Sequence, residues 1–249
     1  MPSPFRGTPK SDGVTNGGNV VLTFDVGADA PQEGDVVIFY GGRGNNTNSD
    51  PNAWGPVTSG YEAVETLQPA VPNTLCPKWG LWKKVMGATP DLTVEGAGGG
   101  GTNQGAAYSC YVLDKSLIDA AIFDAVAVNT GEVTQVPDGP AITTQTAGAW
   151  VITHAAVNNI DDTRGTVANY TIIPGAIGND NQDCNIEAAW REIAEPGTED
   201  PPAWSTWDSA VGGAITIAIK PVTEGGGGGE GGAASVRHRA VQAFGMGGF

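Results

Sequence analysis

Gly-Gly-Ala-Ile-Thr-Ile-Ala-Ile-Lys-Pro, residues Gly212 to Pro221, decides the fold class. In an extended chain Ile215, Ile217 and Ile219 fall on one side, with Ala214, Thr216, Ala218 and Lys220 on the other. A period of two with β-branched residues on one side predicts a half-buried strand. Pro221 ends it, because proline has no N–H to give to a ladder. Beyond it stand Glu224 and the glycine run Gly225 to Gly229, which no packed sheet accommodates. The strand is therefore expected to close a domain, with a separate element after it.

Upstream, the same reading gives a strand over Ala149 to Val157. It sets Trp150, Ile152, His154 and Ala156 against Val151, Thr153, Ala155 and Val157. The run Asp35 to Tyr40 is nearly all apolar, which fits a central strand buried on both faces. Further strands are expected over Asn19–Asp25, Tyr61–Leu67, Ala106–Leu113, Phe123–Val128, Tyr170–Ile173 and Ile186–Ile193. Leu81–Met86 and Asp91–Glu95 read as two strands joined by a short turn, and Ser116–Ile122 as a single helical turn. Long polar or glycine-rich loops separate them, notably Gly41–Gly60, Gly96–Gly105 and Glu195–Trp207. About ten short strands at this spacing predict an all-β fold, a two-sheet antiparallel sandwich, jelly-roll-like, with an extended C-terminal arm. The expected division is an irregular lead-in over residues 1–18, the sandwich over 19–221, and a Gly-rich linker and arm over 222–249.

Composition supports this class. The chain has 249 residues with 38 glycines and 17 prolines, and 40% of it is hydrophobic, which is enough for a core. The formal charge is −15 and the isoelectric point near 4.3. Such a surface is repelled by phosphate backbones and anionic lipid heads, so no nucleic acid and no membrane is expected as a partner. No export signal and no apolar run near the ~20 residues of a membrane span is present. Synthesis in a cytoplasm is the expectation.

Residues able to do chemistry are few. Cys76, Cys110 and Cys184 are odd in number and widely spaced, which favours small buried hydrophobes over a disulfide framework or zinc site. Of two histidines, His154 lies on a strand and reads as structural, and His238 lies in the tail. No nucleophile elbow, zincin helix or phosphate loop occurs. The pairs Glu187 with Glu192 and Asp161 with Asp162 are the carboxylates a glycosidase would need, but an acidic chain supplies such pairs by chance. The expectation is no enzyme and no cofactor. Asn179-Asp-Asn-Gln-Asp183 gathers hard oxygen ligands of the kind calcium accepts, against an Asx-rich turn as the plain reading. Trp54, Trp204 and Trp207 fall in polar loops and could form a platform for a sugar ring, although core packing is the commoner role of tryptophan.

The tail differs from the rest. After the glycine run, Val236, Val241, Phe244, Met246 and Phe249 supply apolar anchors, and Arg237 and Arg239 make the one locally basic patch. A flexible linker presenting such a segment reads as an arm that orders on a neighbouring subunit.

Four stretches carry a resemblance: Glu33-Gly-Asp-Val-Val-Ile-Phe, Leu81-Trp-Lys-Lys-Val-Met-Gly-Ala, Ala149-Trp-Val-Ile, and the ending from Trp207 to Pro221. Over Asn19 to Pro221 the order of these landmarks resembles a family of jelly-roll-like structural proteins of tailed-bacteriophage virions. The resemblance implies a β-sandwich in the virion and carries no catalytic residues. The expected role is a non-enzymatic virion protein, tail-associated as fibre, tip or adaptor and held by its arm, with other virion proteins and further copies of itself as partners. Capsid decoration or a head fibre is the first alternative, and a receptor- or glycan-binding adhesin module the second.

Overall fold

The structure, a computed structural model, describes residues 3–14, 18–44, 53–67, 78–98, 105–129, 137–158, 165–178, 184–205 and 211–223. Fourteen strands run in chain order: β1 (Phe5–Val14), β2 (Val20–Thr23), β3 (Val36–Arg43), β4 (Glu62–Leu67), β5 (Lys78–Val85), β6 (Thr93–Gly96) and β7 (Ala106–Leu113), then β8 (Ile118–Asn129), β9 (Ile142–Thr144), β10 (Ala149–Asn158), β11 (Thr171–Gly178), β12 (Cys184–Ile193), β13 (Gly197–Glu199) and β14 (Val211–Pro221). Two five-stranded antiparallel sheets form the sandwich, ordered β1-β7-β3-β5-β4 and β11-β12-β10-β14-β8. Two-stranded ribbons, β2–β6 and β9–β13, complete the set.

These orders are the same order twice. Adding seven to each label of the first sheet gives β8-β14-β10-β12-β11, which is the second sheet read from its other edge, and it turns β2–β6 into β9–β13. The chain is thus two copies of one seven-stranded unit. The registers agree as well: Val36 pairs with Val85 and Leu113, and Trp150 pairs with Glu192 and Ile219. On the strand that flanks β7 or β14, Phe5 faces Leu113 and Phe123 faces Ile219. The residue just before each fourth strand is a tyrosine under a cation from the fifth. Lys84 Nζ lies 5.5 Å from the Tyr61 ring centre, and the Arg191 guanidinium 5.6 Å from that of Tyr170.

The sandwich core lies between the sheets. Val36, Ile38, Tyr40, Trp79, Leu81 and Tyr111 of the first meet Trp150, Ile152, Ile186, Ile215, Ile217 and Ile219 of the second. Each fully buried Ile or Val contributes about 1.5–3 kcal/mol by leaving water. The outer faces are also covered. Ribbon β2–β6 lays Val20, Leu22 and Val94 over Val37, Phe39 and Tyr108. On the second sheet Ile142 packs on Val151 and Ala218, while Val167 and Trp204 pack on Ala155, Val157 and Ala214. The result is ribbon, sheet, sheet, ribbon.

Covering both outer faces explains the first correction. Strand β14 is not half-buried: Ala214, Thr216 and Ala218 are as buried as the isoleucines opposite them. Small residues stand there because Trp204 and ribbon β9–β13 press on that face.

Three further expectations change. The lead-in is not irregular, since Phe5–Val14 is the edge strand β1, paired with β7. Its register breaks between Arg6 and Lys10, where Pro9 has no N–H, and an edge position tolerates such a break. Gly7 at that bulge has φ +65, and a side chain there would meet Asp25 Oδ2 and the Asp29 carbonyl at 2.7 Å. Ser116–Ile122 is not a helical turn, because from Ile118 the backbone takes the open edge of β14. The two strands expected over Leu81–Met86 and Asp91–Glu95 are present as β5 and β6, which pair with other strands: β5 sits between β3 and β4, and β6 joins β2. The Glu195–Trp207 loop contains β13, which pairs with the equally short β9.

Candidate functional site

The polar groups of the body are spent on holding strands in place. His154 is fully buried, with Tyr111 Oη 2.9 Å from its Nε2 and the Tyr40 ring edge-on at 4.9 Å. Burial disfavours the imidazolium and pulls its pKa from 6.5 down to about 3, so the ring is neutral and structural. Cys110 and Cys184 are buried in separate clusters. Burial holds the Cys110 thiol well above its ordinary pKa, which suppresses the reactive thiolate.

Glu187 and Glu192 are five residues apart on one strand, so they project to opposite faces. Glu187 is buried and accepts the Gly175 N–H at 3.0 Å. The two cannot flank one glycosidic bond. Asp161 and Asp162 lie outside the described residues, as does the whole calcium candidate, Asn179 to Asp183. Among the described residues no group of three or more His, Cys, Asp or Glu is placed to hold a metal ion.

Trp54 and Trp204 belong to separate clusters and share no platform. Trp204 is only 1% exposed, wedged over Ala155, Val157 and Ala214. Trp54 is half-buried with its ring edge-on to Trp82 at 5.6 Å. Trp207 lies outside the described residues. The polar loop around Trp204 misled the reading, because the ring folds under it onto the outer face of the second sheet.

What the fold displays is the root of the arm. Strand β14 sits between β10 and β8, so the chain leaves from a central strand and not from a frayed edge. Pro221 pairs with Ile118, and the Val222 N–H donates to the Leu117 carbonyl at 2.9 Å. Lys220 Nζ lies 3.5 Å from Asp119 on the neighbouring strand. The seven arm residues, Val236, Arg237, Arg239, Val241, Phe244, Met246 and Phe249, lie outside the described residues.

Sequence patterns missed a clamp beside this root. The buried carboxylate of Asp35 accepts Arg6 Nε at 2.5 Å, the Gln32 N–H at 2.8 Å and the Lys115 N–H at 3.0 Å. Arg6 also reaches Asp114 at 2.8 Å. Burial opposes ionisation of Asp114, but hydrogen bonds from Ser116 and Arg6 outweigh it and hold its carboxyl below the ordinary range. One carboxylate therefore ties the first strand, the turn into β3 and the link between the two repeats. Its signal in the sequence is only an Asp beside Gly34, which many turns share.

The remaining exposed edges carry charge. Edge strand β4 carries Glu62 and edge strand β8 carries Asp119, charges of the kind that discourage uncontrolled edge pairing, while Asp124 of β8 accepts the Gln145 and Thr146 N–H groups. Among the described residues no helix is long and apolar enough to cross a membrane. Comparison of the chain with family models, curated proteins and solved structures finds no match.

Proposed function

We propose that this chain is a non-enzymatic structural protein of a bacteriophage virion, tail-associated as a fibre, tip or adaptor component, and held in the assembly by its C-terminal arm. The observation that carries the reading is the arm's root. A 26-residue segment, Glu224 to Phe249, follows a strand paired on both sides within its sheet. Pulling on that segment loads the β10–β14–β8 ladder along its length, so the body suits the anchoring of a tether. The doubled sandwich supplies stiffness, and the linker turns a weak contact into avidity by raising effective concentration.

The likeness to virion sandwich proteins supplies the setting, and the acidic surface favours protein partners over nucleic acid. His154, Cys110 and Glu187 are taken up in core packing and hydrogen bonds between strands, which favours mechanical work over chemistry. The test is deletion of Glu224 to Phe249 in a phage that carries the gene. The shortened protein is expected to fold, because every described strand precedes the cut, and to be missing from purified particles. Normal copy number of the shortened protein in particles would overturn the proposal.

A further inference from the structure

A groove of about 340 Å³ opens beside the root of the arm. Val36 and Val85 of the first repeat and Ile118, Ala120 and Ile122 of the second line it, with Lys115 at its rim. Val85 is 52% exposed there, and Val222, next to Leu117, is 50% exposed. Val36, Ile118 and Ile122 are buried in the groove walls, Val85 stays open to an occupant, and Asp119 joins Lys115 in the polar part of the lining. The last strand delivers the chain to this spot, since Pro221 pairs with Ile118, itself a lining residue.

We infer that the apolar C-terminal segment, Val236 to Phe249, folds back into this groove beside its own root. The inference rests on reading that segment as a docking element. Length allows the return: a glycine-rich linker of about a dozen residues has a root-mean-square span of roughly 20 Å. A flexible tether that short keeps its end at an effective concentration on the order of millimolar, so a modest apolar contact suffices for occupancy. The chemistry matches, with Val241, Phe244, Met246 and Phe249 as anchors for an apolar groove. Arg237 and Arg239 approach a body whose whole-chain charge is −15. In a particle the same contact is available for exchange between copies, as in domain swapping.

The test places cysteines in the full chain at Ala120→Cys, an exposed groove position, and Gly248→Cys near the end of the arm. A control pairs Gly248→Cys with Thr198→Cys, an exposed position on the outer ribbon of the second repeat. Under mild oxidation at micromolar protein, the groove pair is expected to close within one chain about tenfold faster than the control. The advantage is expected to vanish with Phe244→Ser, which leaves the body untouched, and with Val85→Lys, which puts a charge at the groove mouth. The protein without added cysteines gives the background from native thiols. Equal rates for the two pairs would overturn the inference. So would a product cross-linked only between chains, which would put the segment on a second copy and leave the arm's role in joining subunits standing. Loss of incorporation into particles, by contrast, tests the assembly role whichever way the cross-link closes.

Discussion

Gly34 and Gly148 hold the same place in the two halves of the chain. Each has positive φ, +85 and +76, and each stands two residues before the equivalent residues Val36 and Trp150. The Gly34 N–H donates to the Met86 carbonyl at 2.8 Å, and the Gly148 N–H to the Ile193 carbonyl at 2.9 Å. The next residue closes the same four-residue turn, Asp35 to Gln32 and Ala149 to Thr146. Only glycine enters that backbone region without strain.

Replacing either glycine by alanine should therefore cost about 1 kcal/mol or more through the same mechanism. A Cβ at Gly148 meets nothing closer than 3.9 Å, and one at Gly34 comes within 2.8 Å of Cδ of the exposed Lys115 side chain, which must swing aside. Urea unfolding of Gly34→Ala and Gly148→Ala is expected to show similar losses. A clear loss at one site with none at the other would break the equivalence of the two turns.

Asp35 is the residue whose loss should matter most among the polar groups. Asp35→Ala leaves the Arg6 guanidinium half-sequestered and two backbone donors without their acceptor. A cost of about 2–3 kcal/mol follows from two part-buried backbone donors losing their acceptor and from Arg6 keeping only Asp114. Asp35→Asn keeps the shape and part of the bonding, and is expected to cost less. Denaturant midpoints of the pair check the order.

The buried imidazole makes stability depend on pH. His154 titrates near its ordinary 6.5 when unfolded and at about 3 when folded, so the unfolded chain binds the extra proton in between. Its contribution is complete above 6.5 and is lost as pH falls toward 3. The slope from one such proton is at most about 1.4 kcal/mol per pH unit. His154→Leu should flatten the profile across that window by about one proton, read from unfolding free energies at a series of pH values. An unchanged slope would mean that the ring is charged in the fold.

Trp204→Ala should destabilise by about 3–5 kcal/mol, the usual cost of a cavity where an aromatic ring was fully packed. A surface platform for sugars would lose its ring with almost no change in melting temperature. Calorimetry on this one variant separates the two roles.

Composition and period-two alternation were enough for the class of fold. Val36–Tyr40, Ala106–Leu113, Ala149–Val157 and Gly212–Pro221 are strands because β-branched and aromatic residues alternate or run together between turn signals, a local property of the chain. His154 as a structural residue and the cysteines at 110 and 184 as buried hydrophobes were legible for the same reason. The repeat was not, because only the register carries it: Val36 is equivalent to Trp150, Tyr111 to Ile217 and Gly42 to Ala156. Different side chains fill equivalent places, so periodicity sees two unlike segments. Tertiary structure alone made Phe5–Val14 and Ile118–Ile122 strands, because an open sheet edge offers backbone hydrogen bonds that override weak local preference. It alone put Trp204 under its loop and buried Glu187 against the Gly175 N–H. Burial and facing are decided between segments far apart in the chain, and no local pattern records them.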